Sequence, residues 1–357
     1  MNAALRRAEA FAQRFGLRLP VLMAPMAGVP ALPLAVAVAQ AGGMAAMGAL
    51  LLDAAAIADW VGRYSASSDG PLQINLWVPD PAPQRDAEHE ARLRDFLARF
   101  GPPVPADATE LRLQDFGAQC EMLLLARPAA VSSIMGLYPA PFVQRLKAAG
   151  IAWFANVTTV AEARAAEAAG ADVIVAQGAE AGGHRGAFDA GATREQAVGL
   201  FALLPQVVDA VRVPVVATGG VADARGAAAA LILGASAVQV GTALLRCPEA
   251  GLAAAWAAGL EGLAPEDTRL TRAFSGRWGR AIATDYVRAA AEPGAPEPAP
   301  YPVQRGLTAA MRSAALEQGQ LHRMQAWAGQ GAGLARAMPA AEWVQSLWAG
   351  TRERLSA

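Results

Sequence analysis

Residues 172–186 read Asp-Val-Ile-Val-Ala-Gln-Gly-Ala-Glu-Ala-Gly-Gly-His-Arg-Gly, an apolar run that passes directly into a glycine-rich loop. The run from Val173 to Ala176 is short and apolar on both faces, which is typical of a strand buried in a parallel sheet. The loop presents His184, and the chain has only 3 histidines. α/β barrels build active sites on loops that follow such strands, so this stretch predicts a fold and the position of a site.

The rest of the chain repeats this unit, in which a short apolar run is followed by an alanine-rich amphipathic stretch. Eight runs are typical of strands: 21–24, 44–47, 72–76, 130–134, 151–155, 173–176, 215–217 and 237–240. The stretches between them predict helices over 32–41, 53–64, 141–149, 160–169, 194–211 and 222–233. Eight strands that alternate with helices predict an α/β fold, a (β/α)8 TIM barrel. A doubly wound open sheet is the alternative, but no strand-Gly-x-Gly-x-x-Gly-helix unit is present.

Two segments interrupt the repeat and predict additions to the barrel. Residues 79–127 begin with prolines and contain a charged helix over 85–100, which indicates an inserted helical segment after the third strand. Residues 249–320 follow the eighth strand and predict a smaller, mainly helical cap domain. We therefore expect a barrel over 1–248 with its insertion at about 79–127, the cap over 249–320, and C-terminal helices over 321–357 that return to the barrel.

Composition excludes several classes of function. The net charge is −1 and the pI is about 6.3, so no basic field predicts binding to nucleic acid. Cys120 and Cys247 form no metal-binding pattern, and no His and carboxylate spacing predicts a metal site. No apolar run approaches the roughly 18 residues needed to cross a membrane. Residues 1–15 lack the apolar centre of a signal peptide, so we expect a cytoplasmic enzyme of bacterial type.

Glycines follow the seventh and eighth predicted strands, at Gly219 and Gly220 and at Gly241. Loops at these two places form the usual phosphate site of this barrel, because glycines let backbone N–H groups approach the anion. The hydroxyl of Thr242 is positioned to join the same site. Tight strand-to-helix turns are the simpler alternative. Neither loop carries a lysine, so a tethered phosphate, as in flavin mononucleotide (FMN), fits better than a transferred one.

Two amides and one apolar turn indicate where a flat ring would lie. Gln177 ends the sixth strand and Asn75 lies in the third, and a buried amide needs hydrogen-bond partners. Both are suited to the donor and acceptor edge of a flavin ring, although either is equally explained as a core amide bonded to backbone. Pro25 and Met26, at the end of the first strand, offer an uncharged surface on which a ring could pack.

His184 is the candidate for proton chemistry, since an ordinary imidazole pKa near 6.5 suits acid–base work at neutral pH. A loop histidine bonded to backbone is the alternative. Beside it, Arg185 is expected either to attract an anionic substrate or to form a surface ion pair. The other two histidines, His89 and His322, lie in charged or helical stretches, where a structural role is expected.

These motifs together resemble one known family, the nitronate monooxygenases, formerly called 2-nitropropane dioxygenases. The resemblance runs in order from about residue 20 to 330, and the stretch from Glu180 to His184 is its most specific part. The matching segments are 24–28, 176–186, 218–223, 238–243, 271–277 and 328–330.

The resemblance implies an FMN-dependent barrel that oxidises small nitronates, such as propionate 3-nitronate, and nitroalkanes with O2. In that reaction a nitronate gives an electron to FMN, O2 reacts, and a carbonyl compound and nitrite leave. His184 would face the substrate, as a catalytic base or as a group that stabilises the anion. The positions matching FMN contacts are Asn75, Gln177, Gly182, Gly220, Gln239, Gly241 and Thr242, to which the glycine and ring-packing arguments add Pro25, Met26, Gly183 and Gly219. A monomer or homodimer is expected.

The chain departs from the family's pattern in two segments that border the substrate. Residues 132–136 read Ser-Ser-Ile-Met-Gly, where the family carries an aromatic residue or a histidine, and Tyr301 keeps a family tyrosine but has Gln304, Arg305 and Ala309 around it. We expect Met135 and Tyr301 to contact the substrate, whose identity stays open. The alternatives are an FMN-dependent NAD(P)H reductase of quinones or enoyl thioesters, and a barrel that binds a phosphorylated metabolite without redox chemistry.

Overall fold

Eight parallel strands form the centre of the structure, a computed structural model that describes residues 2–29, 32–111 and 113–356. These barrel strands and the strands of a smaller sheet, β7, β10 and β11, are numbered together in chain order. They are β1 (Val21–Met23), β2 (Ala45–Gly48), β3 (Leu72–Trp77), β4 (Ala130–Ile134), β5 (Ala152–Val157), β6 (Val173–Gln177), β7 (Gly183–His184), β8 (Val215–Thr218), β9 (Ala237–Val240), β10 (Thr268–Thr271) and β11 (Gly279–Ile282). The large sheet has the order β1-β9-β8-β6-β5-β4-β3-β2. A parallel bridge between Leu22 and Met44 joins its two edges, so the predicted (β/α)8 barrel is confirmed.

Helices follow most of the barrel strands and cover them. They are α1 (Ala3–Arg14), α2 (Leu32–Ala41), α3 (Ala54–Ser65), α4 (Ala87–Leu97), α5 (Phe116–Ala126), α6 (Ala140–Ala149), α7 (Val160–Ala168), α8 (Leu200–Ala210), α9 (Ala224–Ile232), α10 (Ala254–Gly259), α11 (Asp285–Ala289), α12 (Val303–Leu307), α13 (Ala309–Glu317) and α14 (Ala340–Ser356). Short polar residues start several of them. Asp53 accepts a hydrogen bond from the N–H of Ala56, and Thr159 forms a capping box with Glu162. Within the described residues, no helix has both the length and the apolar character required to span a membrane.

The helix predicted over 194–211 begins later, at Leu200. Both carboxylate oxygens of Glu180 lie 2.9 Å from the backbone nitrogen of Leu200, which donates to them at the first turn of α8. A carboxylate at a helix N-terminus is stabilised by free N–H groups and by the helix dipole. The loop after β6 therefore fixes where α8 starts, and the residues just before it form turns.

The amino end of the barrel is sealed by an aromatic cluster. Phe11 of α1 and Leu22 of β1 belong to a buried group that also contains the first residues of several strands, such as Ala130 and Val173. Phe15, partly buried, packs against the group with its ring centroid 5.1 Å from that of Phe154. Because this end is filled, a ligand can enter the barrel only at the carboxyl ends of the strands.

The insertion and the cap pack together. Leu93 and Phe96 of α4 share a hydrophobic cluster with Phe274, Tyr286 and Met311 of the cap segment. The second helix of the insertion, α5, instead packs on α3 and α6, as a barrel helix does. The cap is not purely helical, since β10 and β11 form an antiparallel pair that the sequence did not predict. We retain 1–248, 249–320 and 321–357 as a proposed division of the chain.

The described part of the C-terminal segment contains one α-helix, α14, preceded by two short 3-10 turns over Leu321–Arg323 and Ala332–Leu334. This helix packs against α2 and α9 on the outside of the barrel. Trp343 and Leu347 of α14 are buried in the main core together with Ala227 and Leu231 of α9. The segment therefore returns to the barrel wall with one helix, whereas the sequence predicted more than one.

Candidate active site

A cavity of about 520 Å³ opens at the carboxyl ends of the strands. His184 and every predicted cofactor contact line it: Pro25, Met26, Asn75, Gln177, Gly182, Gly183, Gly219, Gly220, Gln239, Gly241 and Thr242. The two residues predicted to contact the substrate, Met135 and Tyr301, do not. The cavity has the location and composition that a binding site in this barrel requires, with mixed apolar and polar walls.

The loop that carries His184 is held from both sides. Its residues Gly183 and His184 form the short strand β7, which pairs antiparallel with β11 so that His184 lies opposite Gly279. From the barrel side, the Gln177 amide nitrogen donates to the His184 carbonyl oxygen at 3.1 Å. The amide oxygen of Gln177 accepts from the N–H of Gly186 at 2.8 Å. The side chain expected to meet a flavin therefore braces the loop, and a direct flavin contact stays a prediction.

Arg185 points away from the cavity and is almost fully buried, at 1% exposure. Its Nη1 donates to the carbonyl oxygen of Gly178 at 2.5 Å and its Nη2 to that of Gln177 at 3.2 Å. Burial lowers the pKa of this guanidinium to about 10. Both expectations for Arg185, an attractor of anions and a surface ion pair, are wrong, because the side chain turns inward to bind backbone carbonyls.

The His184 ring lies between two tryptophans and a serine. Its Nε2 is 2.8 Å from the hydroxyl oxygen of Ser275, and its centroid is 4.7 Å from the rings of both Trp77 and Trp327. Burial, and next the positive charges of Arg305 and Arg277, lower the pKa of His184 to about 3. The pKa thus departs from the ordinary value on which the sequence argument relied, because Trp77, Trp327 and Ser275 enclose the ring. The imidazole is neutral at neutral pH.

Ser275, Trp77 and Trp327 were not singled out from the sequence. Trp77 extends the third strand by one residue beyond the predicted end, and an aromatic residue at the mouth of a barrel strand was the available signal. Ser275 lies in the segment 271–277, which matched the family without indicating a role for any residue. Trp327 comes from a distant part of the chain, and nothing in its local pattern placed it beside a histidine.

Amide side chains line the mouth of the barrel. The Asn75 amide nitrogen donates to the carbonyl and hydroxyl oxygens of Ser132, at 3.1 and 3.0 Å, which leaves the amide oxygen of Asn75 for the cavity. Gln73 and Gln239 face each other, with the Gln73 nitrogen 3.4 Å from the Gln239 oxygen. The Gln73 Oε1 and Asn156 Nδ2 atoms are buried and have no partner among the described residues. Unpaired buried polar atoms are costly, so these two atoms indicate a bound polar ligand.

The glycine loops also line the cavity. Gly219 and Gly220 have φ values of 108° and 71°, a conformation that disfavours other residues. A Cβ on Gly182 would lie 2.4 Å from the backbone nitrogen of Gly329, so only glycine permits this contact between the two segments. The N–H of Gly329 donates to the Thr242 hydroxyl oxygen at 3.0 Å, which leaves the Thr242 proton free to donate to an anion.

Met135 and Tyr301 lie behind the cavity wall. The Met135 sulfur is 3.0 Å from Nη1 of Arg277, whose Nε donates to Asp80 at 2.8 Å in an ion pair that is buried on the arginine side only. The Tyr301 ring centroid is 5.5 Å from that of Trp77, and its buried hydroxyl has no partner among the described residues. Both residues support the wall on which His184 rests, and contact with a substrate stays a prediction for each.

The fold is a (β/α)8 barrel, and its mouth combines glycine loops, unpaired amide atoms and a neutral, enclosed imidazole. These features are typical of one class of protein, the cofactor-dependent barrel enzymes. The sequence model of the nitronate monooxygenase family matches residues 11–350. The chain belongs to this family of flavin-dependent oxidoreductases, which act on nitronates or nitroalkanes.

Individual relatives agree with this membership. A nitronate monooxygenase of Paraburkholderia phytofirmans is 40% identical over 338 residues, covering 93% of this chain and 92% of its own. A nitronate monooxygenase of Pseudomonas aeruginosa is 40% identical and covers 95% and 98%. The solved nitroalkane oxidase of Streptomyces ansochromogenes has a TM-score of 0.87 at 35% identity, covering 97% of this chain and 100% of that one. FabK from Thermotoga maritima, at 24% identity and a TM-score of 0.75, covers 97% of each chain and shares the fold.

Proposed function

We propose that the protein binds FMN and oxidises alkyl nitronates, such as propionate 3-nitronate, and also nitroalkanes, with O2. Two nitronate ions and one O2 balance two carbonyl compounds and two nitrite ions, so each product carbonyl gains one oxygen atom. The observation that carries the proposal is the neutral His184 ring, enclosed by two tryptophans on the wall of a cavity that has the features of a flavin site. Membership of the family supports the same reaction.

The donor set fits FMN. The unpaired Gln73 Oε1 and Asn156 Nδ2 offer one acceptor and one donor, and the pyrimidine edge of a flavin carries N–H and C=O groups that match them. The backbone N–H groups at Gly219 to Gly220 and at Gly241, with the Thr242 hydroxyl, would hold the phosphate. When bound, FMN supplies the electron-accepting chemistry of the reaction. The apolar surface of Pro25 and Met26 would pack on the ring.

The hydrogen bonds of Ser275 determine which nitrogen of His184 is available. The Ser275 hydroxyl oxygen lies 3.2 Å from the carbonyl oxygen of Arg277 and accepts from the Arg277 N–H at 3.3 Å. If the hydroxyl donates to that carbonyl, it must accept from Nε2–H of His184. The hydroxyl proton, the Arg277 carbonyl oxygen and the Nε2–H group then all have a hydrogen-bond partner. Nδ1 of His184 then carries the lone pair, and no described residue bonds to it. We assign Nδ1 as the atom that takes a proton from a neutral nitroalkane.

A base with so low a pKa stays unprotonated at every working pH, yet it is a weak base when the site is empty. Removal of a proton from a nitroalkane creates an anion beside the ring, and an adjacent negative charge stabilises the imidazolium. A nitronate arrives already deprotonated, so it needs His184 only for orientation. The two substrate classes should therefore depend on His184 to different extents.

The test is to give the purified protein, with its bound flavin, propionate 3-nitronate under air and to measure O2 consumption and nitrite release. We expect both, and we expect His184→Asn to retain flavin while slowing turnover of neutral nitroalkanes more than of nitronates. An equal loss on both substrates would contradict proton removal by His184. Absence of both O2 consumption and nitrite, combined with rapid anaerobic bleaching of the flavin by NADH, would replace the proposal with a reductase.

A further inference from the structure

The cap side of the cavity carries positive charge that the protein does not balance. Arg305 of α12 and Arg312 of α13 both line the cavity wall. Neither guanidinium has a carboxylate within 4.0 Å anywhere in residues 2–29, 32–111 and 113–356. Nearby, Arg277 is paired with Asp80, so an arginine in this part of the fold can be given a carboxylate partner. The absence of one at the cavity therefore calls for an explanation.

The two arginines differ in how their donors are used. Arg312 donates to three neutral oxygens: the Thr308 hydroxyl at 3.1 Å, the Gln325 amide at 3.2 Å and the backbone carbonyl of Arg305 at 2.9 Å. The guanidinium of Arg305 donates to none of the described residues. Arg312 is thus a positioning residue that fixes the backbone of α12, and Arg305 is the cation left free to bind a ligand.

Arg305 is half-buried, and burial lowers the pKa of its guanidinium. Its charge also reaches His184, whose pKa it lowers together with Arg277. An enclosed charge without a counter-ion is unfavourable, and an anion in the cavity would offset that cost. The planar fork of a guanidinium matches the two oxygens of a carboxylate and binds it in bidentate fashion.

We propose that Arg305 binds a carboxylate of the substrate, so that the enzyme selects nitronates whose chain ends in a carboxylate over plain alkyl nitronates. This inference rests on the proposed function and adds the residue that sets its specificity. The nitronate carbon faces His184 and the carboxylate faces Arg305. His184 and Arg305 line the same cavity, so one small substrate such as propionate 3-nitronate can meet both.

The experiment compares propionate 3-nitronate with propane 1-nitronate, which has the same carbon chain and no carboxylate. We expect Arg305→Gln to raise the KM for propionate 3-nitronate roughly tenfold to a hundredfold, the usual loss for a charge-assisted pair. The KM for propane 1-nitronate should stay within about twofold. Arg305→Lys should recover part of the affinity, since it keeps the charge and loses the fork. Arg288→Gln removes the same charge from the exposed cap surface and serves as the matched control.

A second arm measures binding without turnover. Propionate is titrated into the flavin-loaded protein and followed by the change in the visible flavin spectrum, with propionamide as the uncharged analogue. Propionate should bind to the wild type and to Arg288→Gln, and more weakly to Arg305→Gln. If Arg305→Gln changes the KM of both nitronates equally, or of neither, the inference is overturned while the proposed function stands. If the wild type oxidises neither nitronate, the proposed function fails, and the propionate titration still decides whether Arg305 binds a carboxylate.

Discussion

Titration of the His184 ring tests the electrostatics of the site without any substrate. A histidine with the ordinary pKa of about 6.5 is roughly three quarters protonated at pH 6, whereas one with a pKa of about 3 is protonated in about one molecule in a thousand. The cause is burial first, and then the positive charges of Arg305 and Arg277. We expect the carbon-bound ring protons of His184 to keep one chemical shift from pH 8 to pH 5, measured by NMR on protein labelled in its 3 histidines.

The signal of His184 is assigned by its loss in His184→Asn. An inflection between pH 5 and pH 8 in that signal would refute the reasoning, because it would show that the enclosed ring accepts a proton as readily as an exposed one. Arg305→Gln provides an internal comparison, since removal of one of the two positive charges that lower the pKa of His184 should raise that pKa.

The lowered pKa of His184 predicts how the free energy of unfolding depends on pH. The unfolded chain protonates this histidine below about pH 6.5, whereas the folded chain does not until about pH 3, so stability falls as the pH drops through that window. Between pH 6.5 and pH 5 the loss is up to about 2 kcal/mol, at 1.36 kcal/mol for each pH unit. Denaturant unfolding at pH 7.5 and pH 5 should therefore show a larger acid-induced loss for the wild type than for His184→Asn. Equal losses would contradict the lowered pKa.

Three further substitutions test the supports of the site. Ser275→Ala should retain flavin and lower kcat for neutral nitroalkanes about tenfold, because the ring loses the partner that fixes its tautomer; unchanged turnover would contradict that role. Gly182→Ala should destabilise the protein by about 1–3 kcal/mol and release flavin, whereas Gly62→Ala, whose Cβ meets nothing within 4 Å, should not lower the melting temperature. Asp80→Asn should cost about 1–3 kcal/mol in thermal unfolding, since it leaves the buried Arg277 without its carboxylate, and an unchanged melting temperature would contradict a stabilising role for this pair.

The barrel was predictable because its signal is local and repeated. Each strand is a short apolar run, and glycine ends such as Gly150, with a φ of 71°, stop the helices where the sequence indicates. The glycine loops at Gly219 and Gly241 were predictable for the same reason, since their place in the strand order fixes their place in the barrel. The strand count was therefore enough to predict that these glycine loops line the barrel mouth.

The environment of the histidine was not predictable, because it is made by segments far apart in the chain. Ser275 and Trp327 lie about 90 and 140 residues from His184, and no periodicity links them. The strand pairing of β7 with β11 was missed for a related reason: two residues in a glycine-rich loop carry no strand pattern. Arg185 was misplaced because a charged residue beside an active loop is usually exposed, whereas here backbone carbonyls solvate it.

The pairing of β7 with β11 divides the site between two pieces of chain. The surfaces proposed to hold the cofactor belong to the barrel strands and the loops that follow them, whereas the histidine is clamped by the segment that also carries Ser275 and is bordered by Trp327. Cofactor capture and choice of reaction are thus separable properties of this fold. Exchange of residues 268–327 between relatives offers a way to change the chemistry and the substrate while leaving the residues proposed to hold the cofactor unaltered.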